Sequence, residues 1–212
     1  KRLVPVWSFS MMNDLGETAQ PTVYNGVTYA INAKWTVAID VLTGKQLWRR
    51  WTVPAPGEPG AETWPPAVLE RGGSPTWVTG TYDAELNTVY WGTGNPNPDW
   101  DGDSRPGDNL YAASVVALDP DTGKLKWHFQ YTPHDTHDWD ANQTPVLADV
   151  TIGGQPRKVL MQANRNGFLY VLDRTNGKFI NAWAYGNQNW ASGFTPAGRP
   201  IEVPGHTPTV EG

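Results

Sequence analysis

The stretch "YTPHDTHDWDANQTP", residues 131–145, places His134, Asp135, His137, Asp138 and Asp140 within seven positions of a chain whose charged residues make up only 17%. Carboxylates of this density suit a hard cation, which takes oxygen ligands from Asp, Glu, Asn and backbone carbonyls. On an extended segment Asp138 and Asp140, at alternate positions, would point the same way. Two carboxylates converging there raise each other's pKa unless a cation lies between them. The two histidines also resemble half of a zinc site. However, three-residue spacing in a non-helical loop, with no further His or Cys converging, favours structural roles for both. Asp135 reads as a turn acid. A second acidic run, "NPNPDWDGDSRPGDN" at residues 95–109, alternates Asp99, Asp101 and Asp103 as some calcium loops do. It lacks the glutamate that closes such loops, so its acids read as ordinary turn formers.

The elements that must hold these residues are strands. The segment "VAIDVLTGKQLWRRW" (37–51) recurs as "VVALDPDTGKLKWHFQ" (115–130) and, more weakly, as "LYVLDRTNGKFINAW" (169–183). In each, an alternating apolar run ends at Asp40, Asp119 or Asp173, and Gly44, Gly123 or Gly177 follows four positions on. That pattern is a hairpin whose Asp bonds the amides ahead of it and whose Gly supplies positive φ. Trp48 and Trp127 stand at one phase of the return strand, eight residues after their Asp. Such a ring packs one sheet on the next in a radial array. Further strand pairs are expected around Asn25-Gly26 and Asn166-Gly167. No stretch sustains helical periodicity. The expected fold is all-β, a partial or shortened propeller built on repeated tryptophan hairpins, with about four blades' worth of strands in one domain spanning 1–212.

Composition agrees and narrows the function classes. With 22 Gly, 19 Pro and 12 Trp in 212 residues, the chain suits short strands joined by many turns. Its 16 basic against 21 acidic residues give a formal net charge of -5, with no basic block, which argues against nucleic acid or an anionic membrane as partner. The absence of cysteine removes disulfides, thiolate metal sites and cysteine nucleophiles together. The opening "KRLVPVWSFSMMND" is too short and too interrupted an apolar run for a signal peptide, so an exported protein would be represented here by its mature chain. No apolar run is long enough for a transmembrane helix.

Several stretches together resemble the quinoprotein alcohol dehydrogenases: "LWRRWTVPAPGEPGAETWP", "GSPTWVTGTYD", the succession "WGTGNP", "RPGDN" and "HDTHDWD", and "ANRNGFLYVLDRTNGKF". The resemblance implies an eight-bladed periplasmic propeller family that uses pyrroloquinoline quinone (PQQ) and a bound metal. It implies that Trp77, in "SPTW", lies under the quinone ring, that Asn95, in "GTGNP", gives its side-chain oxygen to the metal, and that Asp138 is the catalytic base and a metal ligand. It further implies that Arg165, in "ANRNG", hydrogen-bonds the quinone oxygens, and that Asp140 is the extra acid of members that use a lanthanide rather than calcium. Glu17, in "GETAQP", falls near an acid that contacts the cofactor's edge. Without the motifs, Trp77 would be one more core aromatic, and Asn95 and Arg165 turn residues. The implied reaction is oxidation of a small alcohol by metal-assisted hydride transfer to the quinone, with an acceptor such as a cytochrome c. A sugar is the alternative substrate, and a non-catalytic binding scaffold the alternative role.

The chain departs from that family in three respects. Set against the resemblance, it is expected to end about midway round the ring, without the C-terminal blades. The segments that would carry a glutamate metal ligand and an adjacent cysteine pair are missing, which leaves Glu58 and Glu62 as substitutes to be tested. An apparent internal join falls near residues 46–51, inside the repeated hairpin, so strand alternation is kept. An open array exposes edges, for which self-association of partial rings is one remedy.

Overall fold

The computed structural model describes residues 3–12, 19–69 and 72–208. Among the described residues fourteen strands form three four-stranded antiparallel sheets and one hairpin, with each sheet in chain order. Blade 1 holds β1 (Thr22–Tyr24), β2 (Val27–Ile31), β3 (Trp35–Asp40) and β4 (Gln46–Trp51). Blade 2 holds β5 (Thr81–Asp83), β6 (Thr88–Gly92), β7 (Ser114–Leu118) and β8 (Leu125–Gln130). Blade 3 holds β9 (Val146–Ile152), β10 (Gln155–Ala163), β11 (Phe168–Asp173) and β12 (Phe179–Ala184). The hairpin pairs β13 (Ala191–Phe194) with β14 (Pro200–Glu202). The only helical pieces among the described residues are a 3-10 turn, Ala61–Thr63, and one turn of α-helix, Pro66–Leu69.

The repeated turns form as their sequence dictates. Asp40 Oδ1 accepts from the Thr43 amide at 2.8 Å and the Thr43 hydroxyl at 2.7 Å. Asp119 does the same with Thr122, and Asp173 with the amide and hydroxyl of Thr175. Gly44, Gly123 and Gly177 follow at φ 72, 71 and 74, the left-handed region that favours glycine. Each turn then receives an aromatic ring from the neighbouring unit. Trp48 lies over the blade 2 turn and donates Nε1–H to Pro120 O at 2.7 Å, so close that a Cβ on Gly123 would stand 2.6 Å from its ring. Trp127 lies in the same way over Gly177 of blade 3. Two further dockings extend the series. Phe179 covers Gly198 of the final hairpin, and Trp7 covers Gly44 while donating to Val41 O at 2.9 Å.

Blade 2 is enclosed on both faces. Along β6 and β7 the alternation of strand side chains sends Tyr90, Val115 and Ala117 into the seam with blade 3, where they meet Phe129, Tyr131 and Leu160. It sends Val89, Trp91, Val116 and Leu118 into the seam with blade 1, against Ile31 and Tyr111. All ten residues of these two strands are buried, whereas β1 is exposed throughout and β9 has no buried residue. A buried ion pair reinforces the seam between blades 2 and 3: Arg174 Nε reaches Asp83 Oδ2 at 2.7 Å, with side chains 7% and 5% exposed.

Candidate functional site

Antiparallel order decides which loops share an end of the array. The segment entering β5 and the loops β6–β7, β8–β9 and β10–β11 all lie at one end, opposite the Asp-Gly turns. Trp77, Asn95, Asp138 with Asp140, and Arg165 occupy those four connections in turn. Side chains 88 residues apart in the chain are thereby gathered on blades 2 and 3. Glu17 lies outside the described residues.

Asp140 is the junction. It is 6% exposed; its Oδ1 accepts the Asn95 amide at 2.9 Å, and its Oδ2 pairs with Arg165 Nη1 at 3.0 Å. Gly94 makes this approach possible, since a Cβ there would stand 2.5 Å from Asp140 Oδ1. Burial, with the charges of Asp138 and Asp135 behind it, pushes the Asp140 carboxyl up to about 6 against the pull of the Asn95 amide and Arg165. Burial likewise raises Asp138; the charge of Asp99 adds to the rise and Arg165 opposes it. Asn95 uses its Nδ2 on Asp99 Oδ1 at 2.6 Å and on Pro96 O at 3.1 Å. Trp77 is 37% exposed, on a segment pinned by the Thr76 hydroxyl to Asn32 O and by Trp91 Nε1 to Val78 O. A cleft of about 570 Å³ opens beside Asn95, lined also by Asp99, Lys34, Trp51, Val53 and Pro75.

The segment carrying the two acids differs from the extended one expected. Asp138 and Asp140 have φ of 57 and 55, so the chain turns at each instead of running straight. The cause is Asp135, 1% exposed, whose two carboxylate oxygens accept the amides of His137 and Trp139 at 2.9 Å each. Asp135 is thus a turn acid, as read from sequence. The histidines are structural as well: His134 Nδ1 meets Gly107 O at 2.8 Å, and His137 stacks on Trp139 with ring centroids 4.0 Å apart. Glu58 and Glu62 cap local turns, at the amides of Ala55 and Gly60, and join no site acid.

Two residues escaped the sequence reading. Asp99, taken for an ordinary turn acid, grips Asn95. Arg105 is fully buried and donates to Pro98 O at 2.7 Å, to Asp99 O at 2.6 Å and to the carbonyl of Asp135, tying the two acidic loops together. A buried arginine facing three backbone carbonyls and the Asn109 side-chain oxygen has no signature in a single sequence beyond its place in "RPGDN". Among the described residues no three His, Cys, Asp or Glu side chains stand close enough to hold a metal by themselves. A cation here would need the Asn95 oxygen and oxygens from outside the protein. The donor set, two carboxylates on left-handed backbone and an amide, with a guanidinium already on one acid, suits a hard cation and not zinc.

Blades docked by tryptophan on glycine turns, with carboxylates, an amide and an arginine on the loops of one end, define a propeller-type array. Residues 3–183 match the family model for the PQQ-dependent glucose/ethanol/alcohol dehydrogenase β-propeller domain, and the chain belongs to that family. It is similar to the quinohemoprotein alcohol dehydrogenase of Comamonas testosteroni, 48% identical over 193 residues that cover 84% of this chain and 27% of that protein. The crystal structure of that enzyme superposes with a TM-score of 0.83 at 45% identity, covering 89% of this chain and 31% of that one. The quinoprotein alcohol dehydrogenase PedH of Pseudomonas putida is 49% identical over 146 residues, 68% of this chain and 24% of that protein. A europium-containing methanol dehydrogenase superposes with a TM-score of 0.82 at 31% identity, covering 89% of this chain and 37% of that one. The chain therefore spans about three-tenths of the length of these relatives.

Proposed function

We propose that the protein oxidises a small alcohol with PQQ and a bound cation, and that the loops of blades 2 and 3 supply the cation side of the site. The observation that carries this reading is the Asp140 junction, where one buried carboxylate draws the Asn95 backbone and Arg165 to a single point beside Asp138. When bound, the quinone supplies a two-electron acceptor that the side chains here cannot provide.

The residues divide the remaining work. Asn95 Oδ1, Asp138 and Asp140 are the residues that would hold the cation. Asp140 favours a trivalent lanthanide over calcium, because an added carboxylate is better offset by the higher charge. Arg165 pairs with Asp140 and, where a cation held there offset that charge, would be free to turn to the quinone oxygens. Trp77 offers an exposed ring as a stacking surface. Asp138, half-buried and raised in pKa, receives the hydroxyl proton of the alcohol. The acceptor proposed is a cytochrome c, and the compartment proposed is the periplasm. The join near 46–51 is a loss of blades in repeat phase, a reading favoured by Trp48 docking on Gly123.

Spectral titration of the 212-residue chain with PQQ, with and without calcium or lanthanum, tests binding. Turnover with a dye acceptor on ethanol and on glucose then tests the substrate class. Saturable binding with ethanol oxidation, lost in Asp138→Asn, is expected. Binding without turnover on either substrate would leave only a scaffold, and no binding would remove the reading altogether.

A further inference from the structure

The side chain of an asparagine ligand is ambiguous: a half-turn about its last bond exchanges the oxygen a cation wants for an amide it repels. Asn95 must be held one way round, and the fold supplies a device for this four residues on. Asp99 Oδ1 takes the Asn95 Nδ2 at 2.6 Å, and Pro96 O takes it at 3.1 Å. With the amide nitrogen committed to these two acceptors, the planar group turns its oxygen to the opposite side. Asp99 is itself held by its backbone. Fully buried Arg105 grips Asp99 O at 2.6 Å and Pro98 O at 2.7 Å, and its third anchor is the carbonyl of Asp135 in the loop that bears Asp138 and Asp140. Hence the carboxylate that orients Asn95 is registered against the loop of the two other ligands.

We propose that Asp99 is a positioning residue, which fixes the Asn95 amide so that its oxygen faces the cation held by Asp138 and Asp140. The inference rests on the cation site proposed above, and it deepens that reading by adding a residue that acts through Asn95. Outer groups that orient a metal ligand are worth about 10–100-fold in metal affinity when removed.

The test compares Asp99→Ala and Asp99→Asn in the 212-residue chain, with terbium as the probe and tryptophan-sensitised luminescence as the readout. Asp99→Ala removes the acceptor and is expected to weaken terbium binding by about tenfold or more. Asp99→Asn keeps a carbonyl that still accepts from Nδ2, so its affinity is expected to stay within about threefold of the parent. In the metal-free protein, the side-chain amide proton signals of Asn95 should shift in the Ala variant and stay near their parent positions in the Asn variant. Equal losses in both variants would show that the charge of Asp99 matters and not its grip, and would overturn the inference. So would an Ala variant that binds as the parent does. If the parent binds no terbium, or Asp140→Ala leaves binding unchanged, the cation site itself fails and takes this inference with it.

Discussion

Replacing Asp140 by asparagine should stabilise the metal-free chain at neutral pH while weakening its hold on a trivalent cation. In the folded protein the Asp140 carboxyl is pushed from an ordinary 3.8 up to about 6, mainly by burial. At about 1.4 kcal/mol per pH unit, that difference makes keeping it ionised cost about 3 kcal/mol. The sign follows from proton counting. Between pH 3.8 and about 6 the folded state holds a proton that the unfolded state has lost, so stability falls as pH rises through that window and the full cost stands above it. The contribution of Arg165 is already contained in the shift, and with its side chain 52% exposed the ion pair is a weak one. Asp140→Asn abolishes the ionisation and keeps an oxygen for the Asn95 amide. Thermal melts followed by circular dichroism should therefore show the variant more stable than the parent at pH 8, by about 2–4 °C for each kcal/mol gained. The two melts should converge near pH 4. Lanthanum should reverse the order at pH 8, because it stabilises the parent by mass action and binds the variant about 10–100-fold more weakly. A variant that melts at or below the parent at pH 8, or a difference that ignores pH, would refute the account of Asp140 as a carboxylate held for a cation.

Two predictions concern the array that carries the site. Gly123→Ala adds a Cβ 2.6 Å from the Trp48 ring at a φ of 71, so it should cost about 2–3 kcal/mol in urea unfolding and red-shift tryptophan emission. Gly153→Ala, at φ 58 with open space around it, should cost only about 1 kcal/mol and serves as the control. Arg174→Met strands Asp83 in the seam of blades 2 and 3 and should cost about 3–5 kcal/mol at pH 7. Burial pushes Asp83 upward, but the Arg174 hydrogen bond and charge, with the amides of Leu86 and Glu85, hold it below its ordinary value. The pair's contribution is thus complete above about pH 4 and lost on further acidification. In the variant the sign inverts and acid should relieve the defect; urea titrations at pH 7 and pH 4 would show whether it does.

The repeated hairpins were legible because their causes are local. An Asp whose carboxylate takes an amide two or three residues on, followed by Gly at positive φ, is written in one short motif, and it formed in all three copies. The phase of Trp48 and Trp127 was legible for the same reason. Trp7 and Phe179 were not, because what defines their role is a glycine in another unit, Gly44 and Gly198 respectively. The site shows the same division. "HDTHDWD" announced its acids, but strand alternation was the wrong rule for aiming them, since a buried Asp135 holds the amides before and between them and the chain turns at each. Asp99 lay in plain view as one of three alternating acids. Its selection over Asp101 and Asp103 depends on the Asn95 side chain lying within reach, a fact of loop geometry set by Arg105.

The placement of the ligands on blade 2 and its junction with blade 3 has a mechanical logic. Loop β6–β7 leaves and re-enters the two strands of the array that are buried on both faces. It is joined to the next loop at the root: Ala141 donates to Thr93 O at 3.0 Å, and the Ala141 carbonyl, pressed against Gly92 where no side chain would fit, accepts Gln162 Nε2 at 2.8 Å. Local opening begins where few apolar contacts are buried, which here means β1, β9 and the outer face of β12. A carboxylate held at a raised pKa needs a frame that does not relax around it, because an acid free to swing into water would return to its ordinary value. The shift of Asp140 is therefore also a statement about rigidity. Loosening the blade 2 and blade 3 seam, as Arg174→Met does, should bring Asp140 back toward 3.8 although the two residues share no contact.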